Sequence, residues 1–103
     1  MVTWKQICQL DDIPRLGTRV VRSVAGNVAV FRNGEDQVFA LHDKCPHRGG
    51  PLSQGIVAGS VVTCPLHSWK IGLENGEAMA PDKGCAHRFS VKIEGSSVWL
   101  QID

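Results

Sequence analysis

The stretch Cys45-Pro46-His47-Arg48-Gly49-Gly50-Pro51-Leu52-Ser53 sets a thiol and an imidazole two residues apart, with a proline between them and two glycines behind. Sixteen residues separate His47 from a second pair, Cys64-Pro65-Leu66-His67. A single Cys-x-His says little, because cysteine often serves as a small buried hydrophobe. Two half-sites of the same composition, each with a proline directly after its cysteine, point to ligands. The prolines fix the backbone and remove an amide, while Gly49, Gly50 and Gly55 leave it free to turn amides toward a central charge. Such loops suit a buried anionic sulfur core.

The rest of the chain bounds what that core serves. At 103 residues the sequence is expected to form one domain, residues 1–103, small enough to profit from a metal staple. Eleven lysines and arginines against ten aspartates and glutamates leave a formal charge of +1, with no footprint for nucleic acid or an anionic membrane. The opening residues lack a basic stretch followed by an apolar one, and nowhere do apolar residues run long enough to span a bilayer. A cytoplasmic location follows as an expectation, and with it ligation by the two cysteines interleaved with histidines, Cys45 and Cys64, instead of disulfides among Cys8, Cys45, Cys64 and Cys85.

Apolar alternation dominates and helical periodicity is scarce. Residues 20–24, 28–32 and 38–41 read as a meander, broken by Gly26-Asn27 and by Asn33-Gly34-Glu35-Asp36. Residues 89–93 and 98–102 read as a closing hairpin, and Thr3 to Cys8 as a first strand ended by Asp11-Asp12-Ile13-Pro14. Residues 43–84 differ in kind. They hold four of the five prolines and seven of the eleven glycines, with short strand candidates only at 61–64 and 69–73. We expect a small subdomain inserted in the β framework and organised by whatever the Cys-His pairs bind.

Two metals compete for those pairs. A structural zinc site built on a finger takes like ligands from each element, usually Cys-x-x-Cys with a histidine pair. Each loop here gives one of each kind, which suits a two-iron core that takes both thiolates on one iron and both imidazoles on the other. Spacing favours the cluster and leaves a zinc-binding interaction module open. A Cys-His nucleophilic dyad lacks any marked orienting group. Cys85-Ala86-His87 repeats the Cys-x-His spacing, but it runs into an alternating strand and reads as a buried thiol with a nearby imidazole. Cys8 reads as core, and His42 as a surface or supporting residue.

The two motifs, with the run Gly49-Gly50-Pro51-Leu52-Ser53-Gln54-Gly55, resemble the Rieske 2Fe-2S domain. The segments WKQICQLDDIP, VAVFRNGEDQVFALHDKCPHRGGPLSQGIV, CPLHSWKIGLENGEA and GCAHRFSVKIEG are similar to the small-subunit family of NAD(P)H-dependent nitrite reductases over almost the whole chain. The resemblance implies an all-β antiparallel sandwich with an inserted cluster-binding subdomain. It implies a Rieske-type 2Fe-2S cluster, with Cys45 and Cys64 on one iron and His47 and His67 on the other. Some members of that small-subunit family have lost these ligands; this sequence keeps all four. The implied partner is a large subunit holding flavin, a four-iron cluster and sirohaem, which reduces nitrite to ammonium. A Rieske ferredoxin serving an aromatic-ring dioxygenase is the second implied reading.

Further expectations follow from the resemblance. Two ferric ions, two sulfides, two thiolates and two imidazoles sum to zero charge, which eases reduction relative to an all-thiolate cluster. High-potential relatives join their ligand loops by a disulfide at the positions of Gly50 and Leu66, and carry hydroxyl donors at the positions of Trp69 and Ile71. None of these four residues can supply those groups, so a potential at the low end of the Rieske range is expected. His47 and His67 would form the electron port. Pro46, Pro51, Leu52, Pro65, Leu66 and Trp69 would form an apolar rim around it, with Arg48 and Lys70 orienting a partner.

Overall fold

The computed structural model describes residues 3–23, 26–46, 50–66, 68–80 and 83–101. It is almost entirely antiparallel β-structure in three sheets. The chain starts with β1 (Trp4–Gln9) and a helical turn at Leu10–Asp12. The meander β2 (Gly17–Ser23), β3 (Gly26–Arg32) and β4 (Val38–His42) follows. After a helical turn at Leu52–Gln54 come three short strands, β5 (Ile56–Ala58), β6 (Val61–Thr63) and β7 (Lys70–Gly72). The chain ends with β8 (Arg88–Phe89), β9 (Val91–Glu94) and β10 (Ser97–Gln101). The sheet orders are β1-β10-β9, β2-β3-β4-β8 and β5-β6-β7.

Sheet β2-β3-β4-β8 is the middle layer. Successive residues of a strand point to opposite faces, so β3 splits its side chains between two cores. Val28 and Val30 pack with Ile13, Ala40, Phe89, Val98 and Leu100 under the sheet formed by the chain ends. Ala29 and Phe31 pack with Leu41, Leu52, Val57, Val62, Ile71 and Leu73 under the inserted strands. The run Val28-Ala29-Val30-Phe31 is therefore continuously apolar because both of its faces are covered. Phe31 and Leu41 are wholly buried, each worth about 1.5–3 kcal/mol relative to exposure.

Polar side chains fix the turns that join these layers. The Arg32 guanidinium donates to the Ile13 carbonyl at 2.9 Å and to Asp36 Oδ1 at 2.8 Å, tying the chain after β1 to the β3–β4 turn. Asn33 Oδ1 accepts from the amides of Glu35 and Gln37 at 3.0 and 2.9 Å, which folds that turn.

Two elements differ from the sequence reading. Residues 89–93 do not form one strand: β8 pairs with β4, the chain steps across at Ser90, and β9 pairs with β10. The step is what carries the chain from the middle sheet to the terminal one, and Phe89 fills the core between them. The strand β5 has no counterpart in the expected elements. Three residues between Gly55 and Gly59 are too few to display a period, and pairing with β6 defines it.

Candidate metal centre

Each cysteine sits in a loop closed by its own backbone. The Cys45 amide donates to the Gly50 carbonyl at 2.8 Å, and the Cys64 amide donates to the Trp69 carbonyl at 2.6 Å. The second closure needs a reversal, supplied by Ser68 in the left-handed region at φ 58°. The consequence is that both thiols turn inward: Cys45 is 3% and Cys64 1% exposed, and both belong to the core under β3.

Burial pushes the Cys64 thiol up; the Leu66 amide, 3.4 Å from Sγ, draws it down, and the adjoining Cys45 thiol raises it again. Two sulfurs thus lie side by side in apolar surroundings with a backbone N–H aimed at one of them. This is a fitting site for a metal–sulfur group, which would deprotonate both thiols and remove the cost of placing them together. His47 and His67, and Arg48 and Gly49 with them, lie outside the described residues.

Around the sulfurs the two loops and a third segment close in. Gly50 is buried against the second loop: a β-carbon there would lie 2.8 Å from Leu66 Cδ1. Gly84, at φ 137°, lies against Pro46, where a β-carbon would stand 3.0 Å from Pro46 Cβ. Only glycine combines that backbone with that approach. The Ala78 amide donates to the Gly84 carbonyl at 2.9 Å and Glu77 bridges to Cys85, so these two pairs of residues lie together beside the first loop.

The remaining expected residues divide. Cys8 is core, 8% exposed, with its thiol raised mainly by burial. Cys85 is exposed, which corrects the expectation of a buried thiol. Alternation explains it: Ala86 is the residue of Cys85-Ala86-His87 that enters the core, leaving its neighbours outside. The His87 ring instead stacks edge-on against Phe89 at 4.6 Å. His42 is half-buried at the end of β4, its ring against Gly26.

The expected rim also needs correction at one position. Leu52 is fully buried and plugs the core, whereas Pro51, Pro65 and Leu66 are exposed and Trp69 is half-buried against the core. Sequence reasoning gave no role to Asp43, which stands two residues before Cys45 and reaches Ser53 at the far end of the loop. A short acidic residue two positions before the Cys-x-His pair was the available signal.

The Rieske 2Fe-2S domain family model matches residues 3–90. The chain belongs to the Rieske 2Fe-2S domain family. Its cofactor is therefore a Rieske-type 2Fe-2S cluster, which decides against zinc.

Among relatives, the chain is 33% identical over 98 residues to the carnitine monooxygenase oxygenase subunit of Acinetobacter baumannii, covering 93% of this chain. It spans only 26% of that relative's length. It is 32% identical to Ferredoxin CarAc of Metapseudomonas resinovorans over 94% of this chain and 92% of the relative. Among solved structures, one described as a candidate NADPH nitrite reductase small subunit superposes with a TM-score of 0.84 at 25% identity, covering 95% of this chain and 97% of the other. No helix among the described residues is long and apolar enough to cross a membrane.

Proposed function

We propose that this Rieske protein is the small subunit of a cytoplasmic NAD(P)H-dependent nitrite reductase, with Cys45, His47, Cys64 and His67 as the cluster ligands. The observation that carries the first part is the packing of Gly84 onto Pro46. Gly84 opens the segment GCAHRFSVKIEG, one of those that resemble the nitrite reductase small subunits, and Pro46 lies in the first Cys-His loop. Likeness to a candidate small subunit over nearly the full length of both chains supports the same reading.

The bound cluster supplies a one-electron carrier. The chain's own residues set the conditions for it. Leu52, Ile71 and Leu73 keep water from the sulfur side, and the Leu66 amide offsets charge on Cys64 Sγ. The exposed Pro51, Pro65 and Leu66 give the open side an apolar surface on which a partner can dock closely. The chain would then exchange electrons with a large subunit carrying flavin, a four-iron cluster and sirohaem, where nitrite is reduced to ammonium.

A second reading has its own observation. Identity of 32% to Ferredoxin CarAc along nearly all of both chains favours a ferredoxin serving an oxygenase. Affinity capture of the tagged chain from its native host separates the two. Recovery of a sirohaem flavoprotein supports the nitrite reductase subunit, and recovery of an oxygenase or its reductase overturns it.

A further inference from the structure

Asp43 holds the first loop at both of its ends. Its Oδ1 accepts the Ser53 amide at 2.7 Å and its Oδ2 accepts the Ser53 hydroxyl at 2.8 Å, across ten positions of sequence. Its own amide donates to the Asn27 carbonyl at 2.9 Å, at the start of β3. Ser53 lies in the helical turn Leu52–Gln54, whose Leu52 is fully buried. One residue, by its side chain to Ser53 and its amide to Asn27, thus fastens the loop that carries Cys45 to the middle sheet.

An ionised carboxylate is an acceptor with two oxygens, and the backbone N–H and hydroxyl of one residue are two donors set side by side. Both hydrogen bonds are charge-assisted and short. Inside this closure lies the second one, from the Cys45 amide to the Gly50 carbonyl. With the outer ends fixed, Cys45 has little freedom, and its Sγ beside Cys64 inherits that restriction. An asparagine at 43 would offer one oxygen and set its NH2 against the other donor.

We infer that Asp43 is a positioning residue: its carboxylate, clasping Ser53, holds the Cys45 loop in one geometry so that the cluster site does not relax as the electron comes and goes. This rests on the ligand assignment proposed above. Ligands held by a supporting shell keep their angles in both oxidation states, while a loose loop spreads them. The clasp contributes no ligand; it acts through Cys45.

The test compares the holoprotein with Asp43→Ala, Asp43→Asn and Ser53→Ala by three readouts: the electron paramagnetic resonance line widths of the reduced state, iron release to a chelator, and amide hydrogen exchange. Loss of the clasp in Asp43→Ala should broaden the lines and speed iron release about ten-fold, with Asp43→Asn and Ser53→Ala between it and the unsubstituted chain. Exchange in β1, β9 and β10 should not change. Unaltered lines and release in both Asp43→Ala and Ser53→Ala would overturn the inference, as would exchange that rises equally in every strand. If Asp43→Ala does not fold, Ser53→Ala, which keeps the amide bond and loses the hydroxyl, still decides. An unsubstituted protein without iron would refute the ligand assignment itself, and the positioning role with it.

Discussion

Leu66 lies directly over Gly50, so that a β-carbon on Gly50 would stand 2.8 Å from Leu66 Cδ1, 3.0 Å from Leu66 Cγ and 3.4 Å from Cys64 Sγ. The two Cys-His loops therefore meet at a glycine and a leucine, at the positions where the resemblance places the bridging cysteines of high-potential relatives. Packing does here what a covalent link does there.

Gly50→Ala should cost about 1 kcal/mol, because the added methyl must push Leu66 outward and Leu66, 41% exposed, has room to move. Pairing it with Leu66→Ala removes the obstacle. A double-mutant cycle in denaturant should show the two changes coupled, with the double variant more stable than the sum of the single losses. Strict additivity would mean that the loops do not meet there.

The same leucine is exposed beside the sulfur loops, which makes it the test of docking. Leu66→Glu should slow electron transfer to the physiological partner several-fold while the visible spectrum of the cluster stays unchanged, because a charge in an apolar contact must be desolvated. Stopped-flow mixing with the reduced partner measures it. Unchanged transfer would move the contact elsewhere on the surface.

A low reduction potential is expected. Neither Gly50 nor Leu66 can form a bridge, and Ile71, wholly buried, has no hydroxyl to give. With fewer donors, the reduced and more negative state is less stabilised. Protein-film voltammetry should place the centre with ferredoxin-type Rieske proteins, and a value among those of the respiratory complexes would contradict this.

Acid should act on the β3–β4 turn. The hydrogen bond from Arg32, helped by Arg15, holds the Asp36 carboxyl below its usual 3.8 against a smaller opposing effect of burial. The unfolded chain takes up this proton first as pH falls. The stabilisation is therefore complete above the ordinary aspartate value and is lost as pH drops through the lower, folded one. Asp36→Asn, which keeps a residue tolerant of the observed φ of 62°, should lower the melting temperature at neutral pH and flatten its decline below pH ~4. An acid limb as steep as that of the unsubstituted chain would assign it to other carboxylates.

The sequence carried the meander and the closing hairpin from Val91 onward, because these rest on local alternation and turn residues. What it did not carry depends on contacts between distant segments. The apolar run of β3 has no way to announce that its second face is covered by an insert some thirty residues later. Phe89 and Val91 alternate as one strand, yet two sheets divide them. Cys85 and Ala86 differ in burial only because the core accepts one of the two. Asp43 and Ser53 are ordinary residues until the loop brings them together.

The central claim is that thiolates and imidazoles share one cluster. Pulsed electron paramagnetic resonance of the reduced protein tests it most directly, since it detects nitrogen bound to iron. Couplings to two histidine nitrogens are expected, lost in part in His47→Cys and in His67→Cys. An iron-loaded protein with no nitrogen coupling, or a colourless one containing only zinc after anaerobic purification, would contradict it.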